Sequence, residues 1–118
     1  MYHVFLDFEM NPIAAANRNP DDPVRHEIIE IGAVRLDPNY QLTDRYDRFV
    51  RPERNTITKT ITNLTGITQA DVENAPILAD ALEEFAVWIG EGPVRVYSWS
   101  NTDRAQLFGE CDLKDLYI

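Results

Sequence analysis

The stretch Tyr2-His3-Val4-Phe5-Leu6-Asp7-Phe8-Glu9 limits the folding choices of this chain more than any other. Read as a strand, it puts Tyr2, Val4, Leu6 and Phe8 on one face and His3, Phe5, Asp7 and Glu9 on the other. Bulky residues on both faces predict a central strand covered on both sides. Asp7 and Glu9 then point the same way at its C-terminal end. Burying two like charges is costly unless a cation stands between them, and a divalent metal would serve. Acidic residues at strand ends also commonly sit in solvent, so the triplet alone decides nothing.

At 118 residues the chain is one domain at most. Its 11 basic and 20 acidic residues give a formal charge of −9, which argues against a protein that coats duplex nucleic acid through a basic surface. It does not exclude a nuclease, because carboxylates that hold metals are acidic by necessity and bound cations reverse the local field. No apolar run is long enough to span a bilayer and no leader pattern opens the chain, so no membrane role and a cytoplasmic location are expected. The single cysteine, Cys111, fits a reducing compartment and a packing role.

After Glu9, a stretch rich in Asn, Asp and Pro up to Pro23 predicts a long connection beside the carboxylate pair, a candidate flap. Glu27 to Leu36 reads as a second strand, Asp37-Pro38-Asn39 as a turn, and Tyr46 to Val50 as a third strand. Glu30 has two readings, a place near the metal site or a solvent-facing or ion-paired role, and the second is expected. The Thr- and Asn-rich segment 52–74 has poor helix propensity, with hydroxyls placed to cap short turns. Pro76 then opens a helix whose Ile77, Leu78, Ala81, Leu82, Phe85, Trp88 and Ile89 share one face, and Gly90 ends it. Pro93 to Trp99 is a fourth strand, expected parallel to the first. Ser100 to Asp103 caps a helix carrying Ala105, Leu107 and Phe108, and Leu113 to Ile118 reads as the start of a further strand. An aspartate in a first helical turn is favoured by the macrodipole whatever the function.

The order β-β-β-α-β-α, with Asp-x-Glu closing the first strand and an aspartate opening the helix after the fourth, resembles the DnaQ-like (DEDDh) 3′–5′ exonucleases. Within them it looks closest to the branch with Eri-type RNA exonucleases and the KapD sporulation inhibitor. The matching residues are Asp7-Phe8-Glu9-Met10-Asn11, Glu27 to Val34, Leu64-Thr65-Gly66-Ile67-Thr68, and Ser98-Trp99-Ser100-Asn101-Thr102-Asp103. Several matches in one order and spacing are more specific than any of them. The resemblance implies a ribonuclease H-like α/β fold: a mixed sheet, strands one to three antiparallel and strand four parallel, with flanking helices. It implies two divalent ions, Mg²⁺ or Mn²⁺, with Asp7, Glu9 and Asp103 as metal ligands and catalytic residues. Phe8, Met10, Leu64, Thr65, Gly66 and Asn101 would bind substrate, the 3′ end of a single-stranded nucleic acid, RNA favoured over DNA.

The family's third motif, a histidine followed by an aspartate on a last helix, has no counterpart here. His3 lies inside the first strand and His26 at the start of the second. Residues 1–118 are therefore expected to be a partial exonuclease domain, roughly its N-terminal two-thirds, lacking the last strand and helix. Losing the general base predicts activity ~10²–10⁴-fold lower. The uncovered sheet would invite dimerisation or exchange between chains. The competing reading is a catalytically silent nuclease-fold module that associates through the exposed sheet face.

Overall fold

Alternating apolar residues and a turn built on Asp37 set up a four-stranded sheet in which the strands, counted along the chain, lie in the order third, second, first, fourth. The computed structural model describes residues 1–117. The strands are β1 (Tyr2–Pro12), β2 (His26–Leu36), β3 (Leu42–Phe49) and β4 (Val94–Ser98). β1 pairs antiparallel with β2, β2 antiparallel with β3, and β1 parallel with β4. The hairpin turn is locked by Asp37, whose Oδ1 accepts from the backbone N–H groups of Asn39 and Gln41. β2 is paired on both edges, and its Glu27, Ile28, Ile29 and Ile31 are fully buried.

The described residues also form the α-helices α1 (Lys59–Thr65), α2 (Gln69–Val72) and α3 (Leu78–Ile89) between β3 and β4, and α4 (Asn101–Leu113) after β4. None of the described helices is long and apolar enough to cross a membrane. α1 and α2 form in a segment of poor helix propensity because threonines cap them. Thr58 accepts from Ile61 N–H, and Thr68 and Asp71 make a reciprocal capping box. Gly66 ends α1 at φ 81°, a backbone conformation that only glycine adopts freely. α3 carries the expected apolar face. Leu78, Ala81 and Phe85 are buried with Val4, Leu6 and Phe8 of β1, and Trp88 packs against this core.

The pairing of β1 with β2 slips between Glu9 and Met10, where Met10 stands opposite Ile28 and leaves Ile29 as the extra residue of a bulge. Ile28 and Ile31 both join the core under α3, while Ile29 packs with Ile67 and Val72 beside α1 and α2. One bulge thus feeds two cores from one strand.

Three expectations change. The second face of β1 is not covered along its length. His3 stacks on Tyr40 and Phe5 on Tyr97, with centroids 4.4 and 4.6 Å apart, but Asp7 is exposed. The carboxylates therefore lie on an open face, because α3 (Leu78–Ile89) and α4 (Asn101–Leu113) pack the Leu6 side. The segment after β1 is not a free flap. Its 3₁₀ turn (Ala15–Asn17) is tied down by Asn55 Oδ1, which accepts from Ala14 N–H, and by Asn17 Nδ2 donating to the Arg54 carbonyl. Finally, Leu113 is the last residue of α4, not the start of a strand, and Lys114 and Asp115 form a turn. Ile118 lies outside the described residues.

Candidate active site

β1 and β4 run parallel, and their last pair is Leu6 with Ser98. The chain leaving β4 therefore enters α4 level with Asp7, and Asp103 falls in the first turn of that helix. Ser100 occupies the capping position but makes no side-chain cap bond, so the expected hydroxyl cap is absent there. Parallel pairing, not local sequence, is what brings Asp103 to β1.

Asp7 and Glu9 line a groove of about 410 Å³ on the open face, with Phe5, Glu30, Asp47 and Trp99. Glu30 stands directly opposite Glu9, and Asp47 opposite Gly32. Glu30 was expected in solvent or an ion pair; instead it joins the carboxylates. Trp99 is 78% exposed. Asp103 is buried and approaches from the other side, lining an apolar groove of about 450 Å³ between α3 and α4 with Leu6, Phe8 and Leu107. Asp7 and Glu9 thus line one groove and Asp103 the other, with the Asp7 charge felt by both Glu9 and Asp103.

Their protonation equilibria record that proximity. Burial raises the Glu9 pKa, and the charges of Asp7 and Asp103 raise it further. Burial also raises Asp103, as do the charge of Asp7 and a hydrogen bond with its side chain, while a hydrogen bond with the Phe8 backbone lowers it. Glu30 is pushed up to about 7 by burial, by a hydrogen bond with Asp47, and by the charges of Asp47, Glu9 and Asp7. None of these shifts has a cation among its causes.

The donor set is all oxygen and anionic, the chemistry a hard divalent cation takes. Among the described residues no three such groups converge closely enough to form a ready-made ion site. The fit is therefore one of donor chemistry and charge: Asp7, Glu9 and Asp103 repel one another in the bare chain, and a cation would relieve that repulsion.

The other sequence-predicted residues scatter. Phe8 is buried and Met10 half-buried, and both pack on the core under α3. Leu64 on α1 is 79% exposed, Thr65 is half-buried and Gly66 exposed. Asn101, the first residue of α4, is exposed. His3 is held by Tyr97, Nδ1 to hydroxyl 3.0 Å, some four residues or about 13 Å along the strand from Asp7. His26 offers only its backbone carbonyl, to Gln106 Nε2 at 2.7 Å. Asn11 was part of the first motif without a role. It is fully buried and bridges β1 to the segment before α1, donating to the Thr56 carbonyl and accepting from Thr58 N–H, each at 3.0 Å.

Sequence reading missed Glu27, Gln106, Glu110 and Lys114. They form a buried polar seam, and the only local signal was the spacing of 103, 106, 110 and 114 along one helical face.

Comparison with known proteins agrees with this geometry. The family described as Exonuclease (RNase_T) matches residues 4–103. The PolC-type DNA polymerase III of Thermotoga petrophila is 38% identical over 82 residues, 70% of this chain and 5% of the polymerase. That of Caldanaerobacter subterraneus subsp. tengcongensis is 34% identical over 99 residues, 84% of this chain and 6% of the polymerase. The chain thus spans about one-twentieth of the curated relatives it matches. Among solved structures, the nuclease domain of 3′hExo, a DEDDh family member bound to rAMP, superposes with a TM-score of 0.81 at 27% identity, covering 98% of this chain and 60% of that one. A 3′-exonuclease in 3′-end-specific recognition of a histone mRNA stem-loop gives a TM-score of 0.79 at 26% identity, over 98% of this chain and 54% of the other.

Proposed function

The chain belongs to the DnaQ-like (DEDDh) 3′–5′ exonuclease family, and on that premise we propose that it is a metal-dependent 3′–5′ exonuclease domain acting on RNA or single-stranded DNA. The observation that carries this reading is the gathering of Asp7 and Glu9 of β1 with Asp103 of α4, close enough that the Asp7 charge raises the pKa of the other two. Asp7, Glu9 and Asp103 would hold Mg²⁺ or Mn²⁺, which when bound supplies an activated water and charge stabilisation at the phosphoryl group.

The chain's own residues contribute position. β1 sets Asp7 and Glu9 two residues apart on one face, and α4 carries Asp103 to them. Leu64, Thr65, Gly66 and Asn101, all at least partly accessible, are free to meet a 3′-terminal nucleotide. Phe8 and Met10, packed inward, would shape the site from beneath. RNA is the favoured substrate and the Eri-type branch the favoured placement. The likeness to a nuclease domain bound to rAMP supports the RNA preference. The PolC-type relatives keep DNA in view.

The positions of His3 and His26 favour a second reading, a silent nuclease-fold module, because they pair with Leu36 and Pro12 towards opposite ends of β1, several residues from Asp7 and Glu9. One experiment separates the two. The chain is incubated with 3′-end-labelled RNA and DNA oligonucleotides in Mg²⁺ or Mn²⁺, and mononucleotide release is followed beside Asp7→Asn. The exonuclease reading expects slow, metal-dependent release that Asp7→Asn abolishes, ~10²–10⁴-fold below an enzyme with a histidine base. Absence of release together with absence of metal binding would favour the silent module.

A further inference from the structure

The buried face of α4 is polar. Asp103, Gln106, Glu110 and Cys111 are its buried residues, while Phe108 is 51% exposed. At its N-terminal end that face presents Asp103. Further along, Gln106 Nε2 donates to the His26 carbonyl at 2.7 Å and to Glu110 Oε1 at 2.9 Å. Glu110 Oε1 also accepts from Ile28 N–H at 2.7 Å. Lys114 Nζ donates to Glu110 Oε2 and to Glu27 Oε2, both at 2.8 Å. Glu27, fully buried, accepts in turn from the backbone N–H groups of Glu53 and Arg54, each at 2.8 Å. Gly109 closes the contact, since a Cβ there would collide with the Val24 side chain.

Apolar packing tolerates small rotations of a helix about its axis, whereas hydrogen bonds of this length and direction do not. Side chains at 103, 106 and 110 share one face, so whatever fixes the rotation at Gln106 and Glu110 also fixes Asp103. We propose that Gln106, Glu110 and Lys114 are positioning residues: bonded to the start of β2, they set the rotation and height of α4 and thereby hold the Asp103 carboxylate against Asp7. This deepens the metal-dependent reading above and rests on it.

The test compares two ways of losing stability. Gln106→Met removes the donor to His26 and Glu110 while preserving side-chain length. Leu78→Ala damages the core under α3 and leaves the seam intact. The dissociation constant for Mn²⁺ is measured on the full chain by electron paramagnetic resonance, well below the unfolding temperature of each variant. Gln106→Met is expected to weaken Mn²⁺ binding by about tenfold or more, and Gly109→Ala, which forces α4 away from Val24, to do the same. Leu78→Ala is expected to keep the wild-type constant despite its lower stability. Equal constants for the wild type, Gln106→Met and Gly109→Ala would overturn the positioning role and leave the functional reading standing. A wild-type chain that binds no Mn²⁺ would overturn the functional reading, and the positioning role with it.

Discussion

Asp103 and Glu110 stand two turns apart on α4, yet their carboxylates live in opposite electrostatic circumstances. Burial raises the pKa of both. At Glu110 every neighbour works against that rise: the Lys114 ammonium and hydrogen bonds from Lys114, Ile28 and Gln106. Lys114 is the mirror image, since burial alone would lower it but Glu110 and Glu27 carry it up. At Asp103 and Glu9 the neighbouring carboxylates add to the effect of burial. Where this chain buries carboxylates for architecture, it supplies a lysine and backbone donors, and no described buried side-chain polar atom lacks a hydrogen-bond partner. Among the described residues no lysine or arginine pairs with Asp7, Glu9, Glu30 or Asp103, and in the function proposed above an external cation would take that place.

The largest test of this contrast is Lys114→Met. It leaves Glu27 and Glu110 buried without their cation, and should cost about 3–5 kcal/mol of unfolding free energy in a urea titration. A loss below about 1 kcal/mol would mean that the lysine does not neutralise the seam. Next comes metal. At a hundred times its dissociation constant, Mg²⁺ or Mn²⁺ should stabilise the wild type by about 2.7 kcal/mol, read as a thermal shift against EDTA. The shift should vanish in Asp7→Asn. If it survives there, the ion binds elsewhere.

A smaller effect has the opposite sign. In EDTA, Asp103→Asn should raise stability by roughly 0.5–2 kcal/mol, because it relieves repulsion by Asp7 while retaining an acceptor for the Phe8 backbone. The equivalent change in the seam, Glu110→Gln, should not stabilise, since it removes a charge that Lys114 uses. The last effect is a pH slope. Glu30 titrates at about 7 in the folded chain against an ordinary 4.5, so between those values the folded state holds a proton that the unfolded state gives up. Stability should therefore fall as pH rises through that window. Melting curves in EDTA should show the slope flattened in Glu30→Gln.

Much of this was legible because it is local. The Asp7-x-Glu9 spacing on a strand, the apolar face of α3 and the Asp37 turn all depend on residues within a few positions of one another, and the structure has them where periodicity put them. The Thr-rich segment 52–74 was read as poor in helix, yet capping by Thr58 and Thr68 sustains two short helices there. What misled was coverage. The alternation in Tyr2–Glu9 reads alike whether a face meets a helix or solvent, and Asp7 proved exposed. Glu30 was misplaced for a related reason, since its neighbours Glu9 and Asp47 arrive by strand pairing from elsewhere in the chain.

By itself, then, the sequence determined the order of the four strands, the dominant apolar helix and the placing of Asp7 and Glu9 on one strand face, because backbone periodicity and motif spacing act over short stretches. Only the tertiary structure decided which face stays open, that Glu30 joins the carboxylates, and that Lys114 neutralises Glu27 from 87 residues away. The physical reason is that charge compensation depends on distance in space. A lysine in the sequence does not disclose which carboxylates it will meet, or which will be left to meet one another.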